Sequence, residues 1–188
     1  MLHNPAWAAS VLILGDSLSA AYGMQESKGW VQLLRDEMPS VEIINGSVSG
    51  ETTAGGLRRL PSLLDSATPD VLVIELGGND GLRGFSPKQL KSNLTKMIEL
   101  GQSNGATVLL TEIMVPPNYG PRYSQMFNQV FHDLADDYDV ALIPFFMTEI
   151  APQADLMQRD GIHPNEAAQP KITQWMKPWI IEATDNLD

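Results

Sequence analysis

The sequence predicts an α/β three-layer sandwich around a central five-stranded parallel sheet. Short apolar runs rich in Val, Ile and Leu recur five times along the chain. Such runs suit parallel strands that are covered on both faces. Between them lie segments whose apolar residues recur at helical spacing, so strand and helix alternate. A length of 188 residues fits one such domain. Residues 11–188 are read as that domain and residues 1–10 as an N-terminal tail.

The strands are predicted at residues 11–14, 41–45, 71–76, 107–112 and 140–143. Trp30, Val31, Leu33, Leu34 and Met38 form an apolar stripe that predicts the first helix. Leu57, Leu60, Leu63 and Leu64 predict the second. Ser86-Pro87 reads as an N-cap with proline at the first helical position, opening a helix to about Gly101. A further helix is predicted over residues 123–138. The last begins near Pro164 and runs toward Ala183, with Pro170 and Pro178 expected to restart or kink it.

Composition excludes several chemistries. With 43% hydrophobic and 19% charged residues the chain can bury a core, unlike a disordered segment. The absence of cysteine removes thiol nucleophiles, disulfides and Cys-based metal sites. Three histidines leave little room for a His-rich metal cage, so no metal is expected. Any imidazole base must be His3, His132 or His163. Lys and Arg total 12 against 23 Asp and Glu, a formal net charge of −11. Such a surface repels phosphate backbones and anionic membranes, so neither nucleic acid nor a membrane anchor is expected. No apolar run approaches the ~20 residues of a membrane span. Ala6-Trp7-Ala8 resembles a signal-peptidase site but lacks the charged and apolar regions upstream. The tail is read as a signal-peptide stub with a mature start near Ala9; an ordinary frayed terminus is the alternative.

In open parallel sheets ligands bind beyond the C-terminal ends of the strands. The residues there are Gly15-Asp16-Ser17-Leu18, then Asn45 through Thr52 around Gly50, then Gly77-Gly78-Asn79-Asp80, and later Asp160-Gly161-Ile162-His163. Each alone reads as a cap or a turn. Together they supply a hydroxyl, a base, an acid to orient the base, and fixed donors for an oxyanion. Ser17, at an expected helix start, offers the hydroxyl. Asp160 and His163, three residues apart, can meet within one turn and leave Nε2 for the serine. Gly50 offers an N–H with no side chain in the way, and Asn79 offers an amide.

These blocks, in this order, resemble the SGNH (GDSL) hydrolase superfamily. The stretches LGDSLSAAYG, SGETTAGGLRRLP, VIELGGNDGLRG, VPPNYGPRY and DGIHPNEAAQP are similar to its bacterial arylesterase and thioesterase I/lysophospholipase L1 branch. The resemblance spans residues 11 to about 180. It implies a flavodoxin-like sandwich and a serine esterase acting on aryl or alkyl esters, acyl thioesters or lysophospholipids. Ser17 is implied as nucleophile, His163 as base then acid, and Asp160 as its orienting partner. The Ser17 and Gly50 N–H groups and Asn79 are implied as the oxyanion hole. No cofactor is implied. The resemblance also implies a periplasmic or secreted protein; the oligomeric state is left open by the sequence, with a monomer favoured. A carbohydrate O-deacetylase of the same superfamily and a non-catalytic flavodoxin-like binding protein are the alternatives.

Several residues remain outside this scheme. Leu82, Phe85, Tyr119, Phe145 and Phe146 follow strand ends and are candidate substrate contacts. The glycines of Gly81-Leu82-Arg83-Gly84-Phe85 suggest a mobile loop. Asp16 is read as ordering the loop, and His132 as surface helix. Glu75 interrupts an apolar strand, and a buried carboxylate needs hydrogen bonds or a cation. Arg58, Arg59 and Arg83 are candidate partners among which the sequence does not choose.

Overall fold

The computed structural model describes residues 8–187. Residues 1–7, with His3 and most of the signal-peptidase-like stretch, lie outside the described residues. Five strands form at the apolar runs: β1 (Ala9–Gly15), β2 (Val41–Asn45), β3 (Val71–Glu75), β4 (Thr107–Thr111) and β5 (Ala141–Ile143). Every pairing is parallel and the order is β2-β1-β3-β4-β5. This is the flavodoxin-like order of a doubly wound sheet. Ala9 and Ser10, expected in the tail, pair with Val41 and Glu42 of β2. The Ser10 N–H also donates to Asp70 Oδ2 at 2.7 Å.

The helices are α1 (Trp30–Glu37), α2 (Thr53–Ala67), α3 (Gly78–Leu82), α4 (Pro87–Ser103), α5 (Pro121–Tyr138), α6 (Met147–Ile150) and α7 (Gln169–Asp185). The α4 cap forms as predicted: Ser86 Oγ accepts from the Lys88 N–H at 3.2 Å. The last helix starts later than predicted. A short 3₁₀ turn, Glu166–Ala168, intervenes, with Asn165 Oδ1 accepting from the Ala167 N–H. Pro170 then occupies the first turn of α7, and the helix runs on through Pro178. Helices α3 and α6, at five and four residues, are too short for apolar periodicity to announce them.

Strand alternation divides the core between the two faces of the sheet. Val11, Ile13, Val71 and Val73 pack with Trp30, Leu34, Ile172 and Met176 on the α1/α7 side. Leu12, Leu14, Leu72 and Ile74 pack with Leu60, Leu94, Met97, Phe127 and Phe131 on the α2/α4/α5 side. These strand residues are fully buried. Each contributes roughly 1.5–3 kcal/mol of hydrophobic stabilisation, so the strand ends rest on a stiff platform. The chain leaves β1 toward β2 on one side and leaves β3 toward β4 on the other, which opens a crevice between the ends of β1 and β3.

Candidate active site

The segment after β1 is a run of turns, not the helix start expected for Ser17. The Asp16 carbonyl accepts from the Ser19 and Ala20 N–H groups at 3.3 and 3.0 Å, and the Ser17 carbonyl from Tyr22 at 3.4 Å. Asn45 Nδ2 and Trp30 Nε1 donate to the Ser19 and Leu18 carbonyls. Ser17 is thereby held half-buried, and its own N–H has no acceptor among the described residues.

The histidine arrives from the segment before α7. Asp160 Oδ1 accepts the Ile162 and His163 N–H groups at 2.9 and 3.0 Å, an Asx-type turn. That turn aims the other oxygen at the ring: Asp160 Oδ2 lies 2.6 Å from His163 Nδ1. His163 Nε2 lies 2.9 Å from Ser17 Oγ, across 146 residues of sequence. The bond to His163, with the two backbone N–H bonds, holds the Asp160 carboxyl down at about 2. A permanent carboxylate at Nδ1 selects the tautomer whose Nε2 lone pair faces the hydroxyl. Tyr22, which sequence reasoning missed, lies against the imidazole with ring centroids 4.2 Å apart. Gln158 Nε2 fixes its backbone by donating to the Tyr22 and Pro164 carbonyls.

The donor positions come from the ends of β2 and β3. The Gly46 and Val48 N–H groups donate to the Ile13 and Gly15 carbonyls, laying this loop alongside β1. Gly50 has φ +79°, which favours glycine, and a Cβ there would meet nothing within 4 Å. Its N–H has no acceptor among the described residues. Asn79 sits in the first turn of α3, its Nδ2 donating to Asp16 Oδ2 and to the Glu51 carbonyl, both at 3.0 Å. It therefore ties the Ser17 turn to the Gly50 turn. Its neighbour Asp80 is buried and accepts from the Thr53 N–H at 2.8 Å, fastening the start of α2.

Glu75 corrects an expectation. It is fully buried, but its Oε2 accepts from Ser19 Oγ at 2.7 Å and from the Asp16 N–H at 3.4 Å. Among the described residues no cation pairs with it. Arg59 instead binds Glu51, at 3.2 Å, and the Gly46 carbonyl. Arg83 donates to the Gly50 carbonyl, and Arg58 is exposed.

The candidate substrate contacts divide. Leu82 and Phe85 are exposed, and Tyr119 and Tyr123 hydroxyls grip their carbonyls at 2.6 and 2.7 Å. Tyr119 also lines a cavity of about 370 Å³ with Pro87, Tyr123 and Met126. Gly81 is needed for close packing, since a Cβ there would overlap Val115 Cγ1. Phe145 is half-buried against both cores. Phe146 is a correction: it is 1% exposed, inside the α1/α7 core, with no surface to offer a substrate. His132 does lie on a helix surface, but it is not free. Its Nε2 is 2.9 Å from Glu112 Oε1.

The family model for GDSL-like lipases and acylhydrolases matches residues 13–169. The chain belongs to the GDSL-like lipase/acylhydrolase family. Members similar to it include an arylesterase of Vibrio mimicus, 49% identical over 92% of this chain and 88% of that protein. Thioesterase 1/protease 1/lysophospholipase L1 of Escherichia coli strain K12 is 47% identical over 94% of this chain and 85% of that protein. Among solved structures, the psychrotrophic esterase EstA of Pseudoalteromonas, inhibited by monoethylphosphonate, superposes with a TM-score of 0.91. It is 48% identical, over 95% of this chain and all of that one.

Proposed function

We propose that this protein is a serine hydrolase of carboxylic esters working through an acyl-enzyme. The observation that carries the reading is one imidazole placed between Asp160 Oδ2 at 2.6 Å and Ser17 Oγ at 2.9 Å. Ser17 is the nucleophile, His163 the base and then the acid, and Asp160 the orienting carboxylate. His163 Nε2 takes the hydroxyl proton as Ser17 Oγ bonds to the acyl carbon. The oxyanion is held by the Ser17 and Gly50 N–H groups and by Asn79. His163 then protonates the leaving alcohol or thiol as its bond to the acyl carbon breaks. Water repeats the sequence, giving a proton to His163 and a hydroxyl to the acyl carbon, and Ser17 is regenerated with release of the acid.

The named relatives favour aryl and alkyl esters, acyl thioesters and lysophospholipids as the substrate class. A net charge of −11 favours neutral or zwitterionic members over polyanionic acyl carriers. Among the candidate contacts, exposed Leu82 and Phe85 and half-buried Tyr119 are the ones proposed to touch the acyl group. The serine–imidazole contact favours hydrolysis over a flavodoxin-like carrier. The same reading includes a monomer and a periplasmic or secreted location, tested by sedimentation and by fractionation of the native host.

The purified protein should be assayed on aryl esters of increasing chain length, acyl thioesters, lysophospholipid and acetylated polysaccharide, beside Ser17→Ala. Turnover of the first three classes that vanishes in the variant is expected. Preference for the acetylated polysaccharide would favour the O-deacetylase instead.

A further inference from the structure

Asn79 presents a conflict. An amide nitrogen has two hydrogens, and both are committed: one to Asp16 Oδ2, one to the Glu51 carbonyl. Both neighbours are pure acceptors, so the amide cannot be turned over to face them with its oxygen. To serve an oxyanion, one of the two bonds must be given up.

The two acceptors differ. Asp16 is 3% exposed, and its Oδ1 is already fixed by the Leu18 N–H at 3.0 Å. Gly78 leaves room for its Oδ2, which lies 3.0 Å from where a Cβ would be. Beneath Asp16 lies Glu75, whose Oε1 is buried without a partner. Two adjacent buried carboxyls with no cation cannot both hold a charge. Burial, then the Asp16 charge, pushes Glu75 well above the carboxylate range. Burial raises Asp16 only to about 6, because the Leu18 N–H, His163 and Asn79 hold it down against burial and Asp80. Of the two, Glu75 binds a proton more tightly, and Asp16, with the Leu18 N–H and the Asn79 amide on its oxygens, is the one that carries the charge. The Asp16–Asn79 bond is then charge-assisted, and the Glu51 bond is a neutral one in an open turn.

We propose that Asp16 is the positioning residue that anchors Asn79, and that the Glu51 carbonyl occupies the place of the substrate oxyanion until the reaction displaces it. The amide pivots on the buried carboxylate and exchanges a neutral acceptor for a charged one. The exchange strengthens as charge develops, so it favours the transition state over bound ester. Asp16 touches no reacting atom and acts through Asn79.

This inference rests on the proposed hydrolase reading, and a double-mutant cycle separates the two. Asp16→Asn places a second amide against Asn79 and should lower kcat roughly 10- to 100-fold, less than the ~10²–10³ for removing an oxyanion donor. KM should stay within about threefold, because ground-state binding is untouched. In an Asn79→Ala background the same change should lower kcat by less than about threefold. Equal losses in both backgrounds would overturn the role of Asp16 and leave the hydrolase reading intact. A normal kcat in Asn79→Ala alone would instead remove Asn79 from the reaction. Thermal melting checks each variant's fold, and Asp16→Ser repeats the cycle should Asp16→Asn fold poorly.

Discussion

Among the described residues two histidines meet a carboxylate, and only one of them has a second partner. His163 has Asp160 at one nitrogen and Ser17 at the other. His132 has Glu112 at Nε2 and stands 47% exposed, against 16% for the His163 side chain. Glu112 also binds Asn128 Nδ2 at 2.7 Å and the Phe145 N–H at 3.4 Å. It thus fastens the end of β4 to α5 and to the segment after β5. The same imidazole–carboxylate contact is a latch in one place and a candidate base in the other. What separates them is a hydroxyl on the far nitrogen and a tyrosine ring over the imidazole.

That contrast can be broken by mutation. The largest effect belongs to Ser17→Ala or His163→Gln, each expected to lower kcat/KM by ~10⁴–10⁶-fold in ester-hydrolysis assays. Asn79→Ala is expected to lower kcat by ~10²–10³-fold with little change in KM. At the latch, Glu112→Ala should leave kcat near normal and lower stability by roughly 1–3 kcal/mol, because it strands the Phe145 N–H and the Asn128 amide. Denaturant titration measures it.

The buried carboxyls predict a stability profile. Asp16 and Glu75 bind protons more tightly folded than unfolded. The destabilising effect of Asp16 is full above its folded pKa, about 6, and fades as pH falls toward the ordinary 3.8, while that of Glu75, held well above the carboxylate range, reaches to higher pH. Asp160 acts oppositely. Its carboxylate stabilises the fold above 3.8, and that contribution is lost as pH falls through about 2. The melting temperature should therefore rise as pH is lowered from neutral toward 5 and fall below 4. Glu75→Gln should flatten the neutral flank. The smallest effect belongs to His132→Gln, expected to change kcat/KM by less than about twofold, since exposed pairs contribute ~0–1 kcal/mol.

Local pattern carried much of this molecule. The β-branched and leucine-rich runs located every strand, and Ser86-Pro87 located the start of α4. Three strand-end blocks and the Asp160–His163 segment singled out the candidate site residues, and parallel topology, which collects strand ends on one side, explains why Ser17 and Asn79 lie near one another. Contacts between distant segments were not legible. Nothing near Glu75 in sequence announces Ser19, 56 residues away, as its partner in place of an arginine. Tyr22 over His163 and Glu112 beside His132 are of the same kind. Phe145 and Phe146 are adjacent and chemically identical, so only packing could separate the half-buried ring from the core one.

In the proposed site His163 activates Ser17 alone. Reacting the protein with a fluorophosphonate ester and mapping the adduct by peptide mass spectrometry tests it directly. One adduct is expected, on Ser17, formed far more slowly in His163→Gln and at the normal rate in His132→Gln. An adduct on another residue, or equal labelling in His163→Gln, would contradict it.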